Sequence, residues 1–415
     1  MKFSITALAT LASGALAAYP GDIVQYWADQ GGVLINGSII GGLQSPPSAW
    51  GPAVVHGAVY LAATEASNRS LEYQQLAVSH AAHNALVWLF HGTRNYGPTN
   101  AALRRVIPQI GLSPNSSDGT AAIKAGRAAA ARVVTARADD RINDFVDYTF
   151  GPREPGVYQN TPGGNPLPDT PQARFVRLFG SVGDVEQFEI DGPPDPTSPE
   201  YEPYIDRVIA QGERNSTVRQ PYDTLTAYYW RESSISQWTR FASGAIGQSL
   251  ATDVPASAKF YAQFYYALAN AGIASWQAKF QYNAWRPITA IRFPEVYLSS
   301  GRNISNPTWT PLLTTPSHQD YTSTHATFGG AAVEVITSYL GTDEVNITVT
   351  SNVTIDAIGE VTRTYTSLRE ATRENGESRV FGGIHFDFAA EAGDKLGTEV
   401  ARRTLEVFDE GWDQF

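Results

Sequence analysis

Residues 257–287 read SAKFYAQFYYALANAGIASWQAKFQYNAWRP. Apolar side chains recur in it at helical spacing, which predicts one long buried helix over Ser257–Ala284. Lys279 and Arg286 stand seven residues apart, two helical turns, and so share one face with Trp276. Pro287 then stops or kinks the helix. Working outward, the same periodicity predicts helices over Ser70–Phe90, Thr120–Arg137, Thr224–Ser249, Thr327–Leu340 and Phe386–Phe408. Gly151–Pro171 and Gly192–Pro203 are rich in Pro and Gly and read as ordered surface connections. Between residues 346 and 367, β-branched and polar residues alternate, as in a small β-hairpin. The expected fold class is all-α: one domain over 19–415, with the hairpin as an accessory flap.

The chain has 415 residues, is 42% hydrophobic and carries a net charge of −11. A protein this acidic is not built to hold nucleic acid on its bulk surface. An anion site in it must be a local positive pocket. Residues 1–18 (MKFSITALATLASGALAA) have a basic start, an apolar run and a small-residue cleavage motif, the pattern of a secretory signal peptide. No later stretch has the ~18 uninterrupted apolar residues of a membrane span. Sequons at Asn36, Asn68, Asn115, Asn215, Asn303, Asn346 and Asn352 fit a secreted, glycosylated chain. There is no cysteine, and the only methionine is Met1. A mature chain without sulfur suits life beside a strong oxidant, because thiols and thioethers are the side chains oxidised first.

Two further segments join Lys279–Pro287. Thr322–His325 (TSTH) precedes an apolar helix, where a Ser hydroxyl and the free amides of the first turn offer donors to an anion. Ordinary N-capping explains a Ser there equally well. Ser378–His385 (SRVFGGIH) sets Arg379 and His385 around Gly382-Gly383, which would let backbone approach a ligand closely. One Lys, two Arg, two Ser and two His then outline a pocket for a tetrahedral oxyanion, phosphate or vanadate. His80, His83 and His91 lack a matching third metal ligand and read as core or interface residues.

The order Lys-x6-Arg-Pro, Ser-x-His, Ser-Arg-x5-His resembles the signature of the vanadium-dependent haloperoxidases and their relatives, the type 2 phosphatidic acid phosphatases. The likeness extends to His325-Ala326-Thr327-Phe328-Gly329-Gly330, His385-Phe386-Asp387-Phe388, Ala121–Asp140 and Tyr228–Phe241. It implies side-by-side helical bundles, with the site-bearing region at 276–408. It further implies that Lys279, Arg286 and Arg379 neutralise the oxygens of a vanadate cofactor, with donors from Ser323 and the Thr324 amide. His385 would bind vanadium, and His325 would act as acid–base. Trp276 and His318 would shape the halide side, His318 favouring bromide. The partners would be hydrogen peroxide, a halide and a small organic acceptor. No motif marks the acidic partner expected to orient Arg379.

The family pattern Pro-Ser-Gly-His is here Thr322-Ser323-Thr324-His325. A β-branched residue resists positive φ. The lost donor would cost on the order of 3 kcal/mol if the backbone had to adopt it. Three readings share the motifs: a haloperoxidase, a secreted acid phosphatase working through a phosphohistidine, and a descendant that binds the anion without turnover.

Overall fold

The computed structural model describes residues 21–36, 47–355 and 359–415. The signal-peptide stretch lies outside these residues. Helices are α1 (Ile23–Asn36), α2 (Pro47–Glu65), α3 (Leu71–Phe90), α4 (Tyr96–Val106), α5 (Ser117–Ala136), α6 (Tyr201–Gly212), α7 (Pro221–Tyr229), α8 (Ser234–Ile246), α9 (Val254–Tyr282), α10 (Pro287–Arg292), α11 (Thr324–Leu340), α12 (Leu368–Phe381) and α13 (Asp387–Gly411). Strands β1 (Glu344–Ile355) and β2 (Gly359–Ser367) form the expected hairpin, pairing Ile347 with Tyr365 and Val349 with Arg363. Ile347, Val349 and Tyr365 are buried under it. On its outer face Thr348 meets Thr364 and Thr350 meets Thr362 through their hydroxyls, at 2.9 and 2.8 Å.

Two predicted helices need correction. The stretch Thr224–Ser249 is not one helix: α7 ends at Tyr229 and α8 begins at Ser234. Bonds from Trp230 and Glu232 to other elements override the local helical preference there. The long helix ends at Tyr282, because Asn283 takes a left-handed conformation (φ 45°, ψ 39°). Arg286 is therefore not on the Lys279 face of α9. It is the N-cap of α10, and Pro287 opens that helix rather than ending the previous one.

Helix α9 runs through the larger core, packed against α2, α11 and α13. Helices α11 and α13 touch backbone to backbone. A Cβ at Gly397 would lie 1.9 Å from the Thr327 carbonyl oxygen, and one at Gly393 2.6 Å from that of Ser323. That contact fixes the start of α11. A second core gathers Tyr201, Ile205, Trp285, Ile288, Phe386 and Phe388. The end of α9 and the head of α10 lie at the seam between the two cores. Among the described residues no helix is long and apolar enough to cross a membrane. The sequon residues Asn68, Asn115, Asn215, Asn303, Asn346 and Asn352 are exposed.

Candidate functional site

Every residue from Ser317 to Thr324 is buried, although this segment is an irregular connection between α10 and α11. Buried backbone carbonyls need donors. The Lys279 ammonium supplies them, donating to the carbonyls of Gln319 (2.9 Å), Asp320 (3.3 Å) and Thr322. Arg286, fully buried, works in the same way. Its Nε donates to the His318 carbonyl at 2.7 Å and one terminal nitrogen to the Ile384 carbonyl at 2.6 Å. Its other terminal nitrogen donates to His318 Nδ1 at 2.9 Å. These two cations frame the pocket and leave their charge in it.

Arg286 also donates to His385 Nε2 at 2.8 Å. Guanidinium only donates, so Nε2 is the unprotonated nitrogen and the ring proton sits on Nδ1. Nδ1 lies 2.9 Å from Asp320 Oδ1, and Asp320 lies 3.8 Å from Arg286. Burial pushes the Asp320 carboxyl up to about 7, against the pull of Arg286 and Lys279. Burial, followed by Arg286, Lys279 and Arg379, holds His385 well below the ordinary imidazole range, so it stays neutral.

The opposite wall is less committed. Arg379, on the last turn of α12, is buried and donates to the Trp230 carbonyl at 3.2 Å. Its Nε has no hydrogen-bond partner among the described residues, and none of their carboxylates pairs with it. Burial, then Arg286, lowers its pKa to about 9. Ser323 is the N-cap of α11, yet its hydroxyl does not cap; it is buried and unpartnered among the described residues. The first intrahelical bond of α11 runs from Thr327 N–H to the Ser323 carbonyl. The amides of Thr324, His325 and Ala326 come before it and point out of the helix end.

Thr324 is the first residue of α11 and is not among the residues with positive φ. The strain expected of a β-branched residue in the glycine position is absent. Its hydroxyl turns back to Ser275 Oγ on α9 at 2.8 Å, away from the amide. His325 keeps part of its surface open. Its Nε2 meets the Glu232 carbonyl at 3.3 Å and so carries the proton, leaving Nδ1 as an acceptor. Trp276 and His318 pack together, ring centroids 4.9 Å apart and planes tilted by 46°, and close one side. Trp276 Nε1 donates to the Asp169 carbonyl at 3.4 Å. Burial, then Arg286, keeps His318 neutral.

Lys279, Arg286, His318, Ser323, Thr324, His325, Arg379 and His385 thus meet at the start of α11, with Trp276 beside them. The Gly382-Gly383 pair does not serve backbone approach to a ligand. Gly383 has φ 71°, and a Cβ on it would lie 2.3 Å from the Gly212 carbonyl oxygen; the glycine seats the end of α6. Asp320, Trp230, Glu232 and Ser275 escaped sequence reasoning. Asp320 sits five before His325 with no helical period to mark it, and the other three act through contacts distant in sequence. The residue types fit a tetrahedral oxyanion: a buried hydroxyl and a guanidinium nitrogen without partners among the described residues, the three free amides of a helix start, and buried cations. His80 is buried and His83 pairs with Asn100 at 3.1 Å, and among the described residues no cluster of His and carboxylates could hold a metal ion.

Residues 259–414 match the family model of the vanadium chloroperoxidase (VCPO) second helical-bundle domain. A vanadium chloroperoxidase of Curvularia inaequalis is 26% identical over an alignment covering 46% of this chain and 41% of that protein. The chain thus spans well under half the length of this curated relative. A bacterial vanadium-dependent iodoperoxidase superposes with a TM-score of 0.73 at 20% identity, over 94% of this chain and 97% of that one. An apo-type bacterial vanadium-dependent chloroperoxidase superposes with 0.69 at 17%, over 87% and 93%. Residues 259–414, just over a third of the chain, thus resemble that second helical-bundle domain, and the chain shares its fold with the solved vanadium haloperoxidases.

Proposed function

We propose that this protein is a vanadium-dependent haloperoxidase, oxidising halide with hydrogen peroxide and a proton to hypohalous acid and water. The carrying observation is the pair of buried donors without a partner among the described residues, Ser323 Oγ at the start of α11 and Arg379 Nε on α12. His385 Nε2 would be the ligating atom: the Arg286 donor it now accepts leaves the ring proton on Nδ1, and an incoming oxyanion would take over that donor. Lys279, Arg286 and Arg379 balance the oxyanion charge, and the Thr324 amide and Ser323 hydroxyl orient it. Vanadate held there would supply Lewis acidity toward peroxide at neutral pH. His325 Nδ1 takes a proton from the incoming peroxide and returns it to the departing oxygen. Trp276 and His318 wall the halide side, and the neutral, polarisable His318 ring supports bromide as preferred halide. The product would pass to a small organic acceptor. The sulfur-free composition, the 1–18 leader and the exposed sequons support export and glycosylation, with 19–415 as the mature domain.

A phosphatase reading draws on one feature, the His385–Asp320 pair, which presents a neutral imidazole nitrogen as nucleophile toward phosphorus. His325 would then protonate the leaving oxygen. Metal-stripped protein reconstituted with orthovanadate separates the two. Dye bromination that needs vanadate and is inhibited by phosphate is expected. Phosphoester hydrolysis inhibited by vanadate, without bromination, would replace the first reading with the second.

A further inference from the structure

The broken helix between α7 and α8 has a pattern of bonds that the pocket alone does not explain. Residues Trp230–Ser233 face it with two carbonyls. Trp230 O accepts from Arg379, and Glu232 O accepts from His325 Nε2. Two groups at the heart of the pocket are therefore oriented by one short loop. The hairpin holds that loop from the other side. Ser351 Oγ donates to the Tyr229 carbonyl at 2.9 Å, and Tyr229 hydroxyl donates to the Val349 carbonyl at 3.2 Å. Asn352 N–H donates to Glu232 Oε1 at 3.2 Å, a carboxylate that Arg240 also holds.

A second anchor is Glu374 on α12. Four groups from three elements, three hydrogen-bond donors and the Arg363 guanidinium as an ion pair, converge on its carboxylate. They are Arg363 NH1 (2.6 Å) and Tyr365 hydroxyl (2.7 Å) from β2, Trp230 Nε1 (2.8 Å) from the loop, and Tyr222 hydroxyl (2.9 Å) from α7. Glu374 lies five residues before Arg379 on the same helix. Between them Asn375 Nδ2 donates to the His325 carbonyl at 2.8 Å. Trp230, whose backbone carbonyl accepts from Arg379, is thus tied through its indole N–H to the helix that carries Arg379, and the hairpin is tied to both. Burial pushes the Glu374 carboxyl up, but Arg363 and the hydroxyl and indole donors outweigh it and leave it below the usual range.

We propose that the 344–367 hairpin and Glu374 form a clamp that positions Arg379 and His325 through the carbonyls of Trp230 and Glu232. The hairpin is then part of the oxyanion site's support rather than a surface flap. Groups of this kind fix the direction of a ligating side chain without touching the ligand. Glu374 is a positioning residue, and its effect is separable from stability. The inference rests on the oxyanion reading of the pocket, not on whether the chemistry is peroxidase or phosphatase.

Glu374→Gln keeps the side-chain shape and removes the charge. Tungstate binding by calorimetry, at a temperature well below unfolding, is expected to weaken on the order of tenfold, with Glu374→Asp recovering part of it. The second readout needs no ligand: exchange protection of the Arg379 Nη1–H that the Trp230 carbonyl holds, followed by NMR, is expected to fall in the variant. Ser351→Ala, which cuts a different strut, should move both readouts in the same direction and serves if Glu374→Gln does not fold. Folded variants with tungstate affinity within twofold of the parent and unchanged Arg379 protection would overturn the clamp. Absence of tungstate binding by the parent protein would overturn the oxyanion reading instead, while the Arg379 protection would still decide the clamp.

Discussion

Helices α11 and α12 both begin on a serine, and the two serines do different work. Ser367 caps α12 in the ordinary way, its hydroxyl accepting from Glu370 N–H at 3.2 Å. Ser70 and Ser116 do the same for α3 and α5. Ser323 leaves its own helix uncapped and keeps a buried hydroxyl without a partner among the described residues. A buried unpaired hydroxyl costs roughly 1–3 kcal/mol. The two buried arginines repeat the contrast. Arg286 is bonded to His318, Ile384 and His385, whereas Arg379 holds one carbonyl and has a free Nε. Arg286 builds the wall and lends one bond to His385 Nε2, whereas Ser323 Oγ and Arg379 Nε are donors left open for a ligand.

Removing the wrong arginine should break this contrast most visibly. Arg286→Ala strands the carbonyls of His318 and Ile384 and leaves Asp320 without its arginine, and is expected to lose about 3–5 kcal/mol of stability by denaturant unfolding. Arg379→Ala should unfold nearly like the parent but bind tungstate about a hundredfold more weakly, the loss of one or two charge-assisted bonds. Equal destabilisation by the two changes would erase the distinction between wall and ligand contact.

The serine pair sharpens it further. Ser367→Ala should cost ~1 kcal/mol of stability and leave tungstate affinity alone. Ser323→Ala should do the reverse, weakening binding roughly tenfold with little change in unfolding.

The smallest effect concerns pH. Asp320 has a folded-state pKa raised to about 7 by burial. Below that pH the carboxyl is protonated, and Lys279, Arg286 and Arg379 act unopposed. Above it, one negative charge offsets them. Affinity for tungstate, which stays doubly charged across this range, should therefore rise several-fold as pH falls through about 7. Asp320→Asn should flatten that dependence, and a profile unchanged by the substitution would count against Asp320 as its source.

Much of this was readable in the chain. The apolar periodicity gave the helical class and the ends of α3 and α11 to within a few residues, because those helices bury wide apolar faces. The alternation around Ile347 and Val349 gave the hairpin. The site residues were marked by residue type and order alone. What escaped was set by tertiary contacts. No local feature of Thr224–Ser249 shows that Trp230 and Glu232 will turn their carbonyls to Arg379 and His325. The left-handed Asn283 moves Arg286 off α9, although heptad spacing placed it there. Thr324 looked like a strained substitute for glycine. Its place as the first residue of α11, with its hydroxyl on Ser275, removes that strain. The partner expected for Arg379 was sought among acids and proved to be a backbone carbonyl, which no side-chain pattern records.

The most direct test of the account is a crystal structure of the protein soaked with orthovanadate. It should show vanadium bonded to His385 Nε2, with its oxygens within hydrogen-bond distance of Ser323 Oγ, the Thr324 amide and Arg379. Vanadate bound elsewhere, or no vanadate at concentrations that support activity, would contradict the assignment of the open wall as the ligand-binding side.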